Sequence, residues 1–135
     1  YGSTHAAFIA DSGWIGGFYT RTLPAGPDDW RGAVWLRDRR DPRRFQRIDL
    51  PVLPGGSDPA AGSSVPYAFN QAGQAVGYAT NDRSGRRATL WAADARRTPF
   101  NLGVYPGDEW SLARGINERG QVAGESRPLR STRAY

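Results

Sequence analysis

The chain contains no cysteine, no methionine and no lysine, and it has a single histidine. Without cysteine there can be no disulfide, thiolate metal site or cysteine nucleophile. The redox compartment stays open, because a cysteine-free chain suits the cytosol and the exterior equally. With His5 alone, no histidine-rich metal centre can form within one chain. No apolar run approaches the roughly 20 residues of a membrane helix, so no transmembrane segment is expected. The first residues also lack the basic and apolar regions of a signal peptide, which leaves room for one removed ahead of this numbering. The missing lysine makes all 18 basic residues arginine, and the net charge of +5 rests on them. Such one-sided usage points first to compositional bias, so net charge alone says little about partners.

The 135 residues and 39% hydrophobic content permit one domain-sized core. Five Trp, six Tyr and five Phe supply large groups to bury, which argues against disorder. Long helices are excluded by the recurrence of Gly and Pro, 17 and 10 in number, and the helix-compatible stretch Trp91 to Arg97 is short. Short apolar runs alternating at period two between turn residues are instead the signature of antiparallel strands.

The strongest signal is a repeat. The segments FIADSGWIGG (Phe8 to Gly17), AFNQAGQAVG (Ala68 to Gly77) and GINERGQVAG (Gly115 to Gly124) align through Gly13, Gly73 and Gly120 and again through Gly17, Gly77 and Gly124. Thr4, Ser64 and Ser111 fall in register before them, and Trp35 and Trp91 end the runs that follow. Each complete unit therefore reads as four short strands, at about 4 to 10, 14 to 20, 32 to 36 and 45 to 50, then 65 to 70, 74 to 79, 87 to 92 and 98 to 102. A partial unit adds strands near 111 to 116, 121 to 126 and 131 to 135. Unit one spans about 3–56, unit two about 63–107 and the partial unit about 110–135, within a single β-repeat domain.

Within the motif, Asn117 and Asn70 start a turn by bonding to the backbone two residues on. Gly120 and Gly73 supply the positive φ that closes a type I turn with a bulge. Ala10 departs from this pattern, so the first unit is expected to have Asp11 share the turn work or to have a looser hairpin. Glycines 17, 77 and 124 fall inside the following strand, where they mark close approach of backbone or an aromatic ring. Trp35 and Trp91 are expected between sheets.

Four-stranded units of this size protect their edges and faces by stacking, which makes the expected fold all-β with β-propeller-like blades. Two units and part of a third do not make a ring, so the blades are expected to be part of a longer chain or to be completed by assembly, homo-oligomers included. At these residues the sequence resembles the HAF repeats of bacterial, often extracellular proteins. Their pattern Ser-x-Ala-x-x-Ile-Asn-x-x-Gly-x-Val-Val-Gly is met in the last unit by Ser111, Ile116, Asn117, Gly120, Val122 and Gly124. The middle unit meets it with Ser64, Asn70, Gly73, Val76 and Gly77. Leu90, Trp91 and Trp35 match its second run, and Leu102, Gly103 and Gly107, with Leu50, Leu53, Gly55 and Gly56, partly carry its third. Ala10, Phe69 and Tyr105 depart from it. The resemblance covers nearly the whole chain; it implies a propeller-like repeat fold and export to the exterior or cell surface, and it transfers no catalytic residue.

No catalytic residue, metal site or cofactor is assigned. His5 as a base would need partners, for which Ser3, Ser64 and Asp11 qualify only by abundance. Asp28, Asp29, Asp58, Asp108 and Glu109 follow no calcium-loop pattern, and Gly55 to Ser64 lacks the ending of a phosphate loop. The densest charge lies at RDRRDPRRFQR, Arg37 to Arg47. There Arg39, Arg40, Arg43 and Arg44 can meet an anionic polymer with Phe45 available for stacking, while Asp38 and Asp41 dilute the charge. Trp14, Tyr19, Trp30, Tyr105 and Trp110 lie near loops and are the candidate contacts for protein or carbohydrate. Three functions follow: a secreted or surface-associated scaffold or binding module, a piece of a propeller enzyme whose catalytic residues lie elsewhere, and an arginine-loop binder of anionic polymer.

Overall fold

The structure, a computed structural model, describes residues 2–22, 29–58 and 61–128. Among them are ten strands and no helix. Unit one is the meander β1 (Thr4–Ile9), β2 (Ile15–Arg21), β3 (Asp29–Arg37) and β4 (Phe45–Asp49). Unit two is β5 (Ser64–Phe69), β6 (Ala75–Asn81), β7 (Ser84–Trp91) and β8 (Pro99–Gly103), and β9 (Trp110–Ile116) with β10 (Val122–Arg127) forms the third. Each strand pairs antiparallel with the next inside its unit. A single parallel bridge, Arg31 to Ser64, links units one and two, and the described strands form no closed ring. The expected strand at 131 to 135 lies outside the described residues.

Strands β3 and β7 begin three residues earlier than the apolar pattern suggests. The reason at β7 is a tight turn in which Asn81 Oδ1 accepts from the Arg83 and Ser84 amides, so the ladder continues almost to the corner. At β3, Asp29 pairs with Arg21 across the ladder at 2.7 Å, and this ion pair holds the end of the strand pair together.

The motif hairpins are alike in backbone. In each, the glycine amide donates to the carbonyl three residues earlier, at 2.8 Å (Gly13 to Ala10), 3.1 Å (Gly73 to Asn70) and 3.0 Å (Gly120 to Asn117). The glycines have φ of 89°, 90° and 78°, a region that costs other residues energy. Asn70 and Asn117 add a side-chain clamp: Oδ1 accepts from the amide of Gln74 or Gln121, and Nδ2 donates to that glutamine's Oε1. Ala10 has no such group, yet its turn keeps the same backbone bonds and is no looser. Asp11 is drawn in through its amide, which donates to Gln71 Oε1.

The in-strand glycines answer to a bulge. Register slips in the first strand of each unit, leaving Ala7, Tyr67 and Arg114 as the extra residue. A Cβ on Gly17, Gly77 or Gly124 would collide with the carbonyl oxygen of His5, Val65 or Leu112. Backbone approach is thus what keeps these positions glycine.

The core lies between units. Ala10, Trp14, Val34, Leu50 and Leu53 of unit one pack with Phe69, Ala75, Ala79 and Trp91 of unit two. Val76 and Ala88 of unit two pack with Ala113, Ile116 and Val122 of unit three. Alternation puts Ala75 on one face of β6 and Val76 on the other, so unit two is buried from both sides.

Candidate functional site

The two interfaces are built from the same positions. Ser64 Oγ accepts from the Gly32 amide at 3.0 Å and donates to the Leu50 carbonyl at 2.7 Å. Ser111 Oγ accepts from the Ala88 amide at 2.8 Å and donates to the Gly103 carbonyl. Each serine therefore fastens the first strand of its unit to the third strand of the unit before and to the backbone where that unit's fourth strand ends. The turns form a matching ladder, with the Asp11 amide donating to Gln71 and the Gln71 amide donating to the Glu118 carboxylate at 3.1 Å. Phe69 lies against Gly16, where a Cβ would meet its ring at 2.5 Å, and the equivalent Ile116 packs in the cluster of Val76.

Side chains that do not serve stacking gather on one exposed strip across units two and three. The bulge turns Tyr67 outward, where its ring lies 5.8 Å from that of Tyr78. The Arg114 guanidinium sits over Tyr67 at 4.8 Å and Arg86 over Tyr78 at 4.9 Å. Arg114 and Arg127 both bond Glu125, at 2.7 and 3.0 Å, and Arg127 also lies 5.5 Å from the Trp110 ring. Gly85, Arg86, Glu109 and Trp110 line a shallow recess at its end. The hydrogen bond from Arg114 holds the Glu125 carboxyl below the usual carboxylate range, and the same bond raises the Arg114 guanidinium. Partial burial raises the Tyr78 hydroxyl. The strip thus offers three aromatic side chains, Tyr67, Tyr78 and Trp110, and three guanidinium groups, with one carboxylate engaged between two of them.

Of the residues singled out from sequence, only Trp110 joins this strip. Trp14 lies in the core, 9% exposed, between Phe8 at 5.2 Å and Phe69 at 5.5 Å. Tyr19 is on the outer face of unit one, where its hydroxyl donates to Asp49 at 3.1 Å and Arg47 stacks on its ring. Trp30 is exposed and packs on Phe18, and Tyr105 is 73% exposed. Tyr67, Tyr78, Arg86, Arg114 and Arg127 were missed. A repeat alignment does place Tyr67 and Arg114 at one register position, but only the bulge shows that this position points outward.

The arginine loop is a hairpin extension. Trp35 pairs with Arg47, twelve residues on, whereas Trp91 pairs with Pro99, eight on. Asp38 and Asp41 accept from the Arg40 and Arg43 amides at 2.8 and 3.0 Å, so they shape the turns as well as diluting charge. Arg44 lies 3.6 Å from Asp41, Arg47 pairs with Asp49, and Arg37 covers Phe45. Arg39, Arg40 and Arg43 have no carboxylate partner among the described residues.

His5 stacks on Phe18 with ring centres 4.9 Å apart, and the Ser64 hydroxyl is spent on the unit interface. Among the described residues no group of three His, Asp or Glu side chains is placed to hold a metal ion. Among the described residues there is no helix long and apolar enough to cross a membrane. Comparison with protein-family profiles, curated proteins and solved structures finds no match to the chain.

Proposed function

We propose that the chain is a non-catalytic β-repeat scaffold of the HAF kind, exported to the exterior or cell surface, whose units stack as propeller-type blades and present a binding strip for protein or glycan. The observation that carries the stacking is the repetition of one interface. Serine clasp, aromatic or aliphatic knob and turn ladder recur between units one and two and between units two and three. Repeats that share nearest-neighbour contacts in this way behave as stacked scaffolds, with function on the surfaces left free.

The binding strip is Tyr67, Tyr78, Arg86, Arg114, Arg127 and Trp110. Rings flanked by guanidinium groups stack on sugar faces and on peptide side chains, and they hold hydroxyl or carboxylate groups at the margin. Binding of soluble xylan, laminarin and a hexamer of N-acetylglucosamine, measured by calorimetry, tests the glycan arm. A saturable signal that survives 0.5 M salt and falls at least tenfold in the Tyr67→Ala, Tyr78→Ala double variant supports the strip, and an unchanged signal in that variant removes it.

A second reading is supported by Arg39, Arg40 and Arg43, which have no carboxylate partner among the described residues: the extended hairpin contacts an anionic polymer. Heparin and a 20-nucleotide single strand are the probes. Affinity should fall steeply with salt and be lost on changing Arg39, Arg40, Arg43 and Arg44 to Ala together. Equal binding by that variant contradicts this reading.

A further inference from the structure

Unit one carries on its outer face the side chains that, in units two and three, are covered by the preceding unit. Thr4 stands where Ser64 and Ser111 make their clasps, and Thr4 is exposed. Ile9 stands where Phe69 and Ile116 are seated; Ile9 is 69% exposed and Phe69 is 4% exposed. Trp35 stands where Trp91 is fully buried with its indole Nε1 donating to the Pro51 carbonyl at 2.8 Å. The Trp35 indole is only partly buried and has no hydrogen-bond partner among the described residues. Ile15 and Ala6 take the positions of the buried Ala75 and Pro66. A recess of about 510 Å³ opens beside Thr4, Tyr19 and Trp35. An apolar recess lined by Thr4, Ala6, Ile15, Trp35 and Phe45 adjoins it.

We infer that this face is the seat of another four-stranded unit of the same repeat, carried ahead of unit one on the same polypeptide. The inference rests on the stacking reading and not on the binding strip. The seated unit supplies a third-strand amide to Thr4 Oγ1 and a fourth-strand carbonyl to accept from it. It also offers a carbonyl to the Trp35 indole, a small residue beneath Ile9, and a turn amide to the Asp11 carboxylate, as Gln71 does to Glu118.

A second copy of this chain is a poorer occupant for a specific reason. The carbonyls that receive the clasp, Leu50 and Gly103, are already taken by Ser64 and Ser111 of the same molecule. The apolar faces of units one and two that would receive Ile9 are likewise filled, by Phe69 and Ile116. In both observed interfaces the segment that leaves the fourth strand also leads directly into the strand being seated. That connection makes in-line stacking the geometry the fold already uses twice.

The test is a tandem chain with residues 63–107 placed directly ahead of Tyr1, so that Thr4 follows Gly107 at the spacing that Ser111 has now. A second chain places residues 2–107 there, which gives the seated unit its own backing. In the original chain the Trp35 indole proton should exchange with deuterium at least tenfold faster than that of Trp91. In the tandem chains it should slow at least tenfold, and Ile9→Asp should restore fast exchange. Unchanged Trp35 exchange in both tandem chains overturns the inference while leaving the stacking reading intact. Slowing in the original chain as concentration rises, with dimers in the ultracentrifuge, assigns the face to a second copy and also overturns it. Fast exchange of Trp91 in the original chain would instead sink the stacking reading itself.

Discussion

Units one and two have the same four-strand plan and the same hairpin, yet one is half bare and the other is buried on both sides. Trp35 and Trp91 hold equivalent positions, opposite Ile15 and Ala75, and Ile9 and Phe69 occupy one register position, but only the second of each pair is enclosed. The difference does not come from the strand plan, since the β1–β2 ladder with its bulge recurs in β5–β6, and the slips confined to β6–β7 and β7–β8 leave Ile15 opposite Trp35 just as Ala75 is opposite Trp91. It comes from what lies in front of them. Bonds inside a unit, such as the glycine-closed turn and the bulge, should therefore matter equally in both units, whereas positions that serve stacking should matter only where a neighbour is present.

The largest effect is expected at the knob. Phe69→Ala removes a ring packed against Phe8, Trp14 and Gly16 and should cost about 3–5 kcal/mol in urea unfolding. Ile9→Ala, at the equivalent exposed position, should stay within about 0.5 kcal/mol. Comparable losses at both would break the comparison. The bulge sharpens it from the other side: Gly17→Ala and Gly77→Ala each force Cβ onto a carbonyl of the neighbouring strand. Each should cost about 1–3 kcal/mol, alike in the two units.

The clasp comes next. Ser64→Ala leaves the Gly32 amide and the Leu50 carbonyl without their partner in a buried place and should cost about 1–3 kcal/mol. Thr4→Ala should be neutral within about 0.5 kcal/mol by the same unfolding measurement. The smallest effect belongs to the exposed strip. Glu125 is held below its ordinary value by Arg114, so its contribution is present above the usual carboxylate range and is lost as pH falls through its lowered value in the folded chain. A carbon-detected titration of the Glu125 carboxyl should show that lowered midpoint, and Arg114→Gln should return it toward normal.

Much of this architecture is readable in the sequence. The spacing of Gly13, Gly73 and Gly120 marks three hairpins, and each expected strand among the described residues is present, with β3 and β7 longer than the apolar pattern allows. Gly17, Gly77 and Gly124 were readable as close approaches, though not which partner approaches. The serines at 64 and 111 were readable only as repeats. Their hydroxyls acquire a role from the preceding unit, and a periodic pattern does not specify how units sit on one another. The same reason hides the strip, because Tyr67 meets Arg114 across two units, and the glycines beside the bulge, Gly77 and Gly124, do not say which residue it turns outward. The difference between Trp35 and Trp91 is likewise unreadable, since both close an Ala or Thr, Val or Leu, Trp run.

The most direct test of stacking through repeated clasps is amide exchange at Gly32 and Ala88 in two single variants, measured under native conditions. Ser64→Ala should speed Gly32 at least tenfold relative to Ala88, and Ser111→Ala should do the reverse. If both amides keep their wild-type rates in both variants, or if each variant speeds the two equally, the serines do not join the units and the account fails.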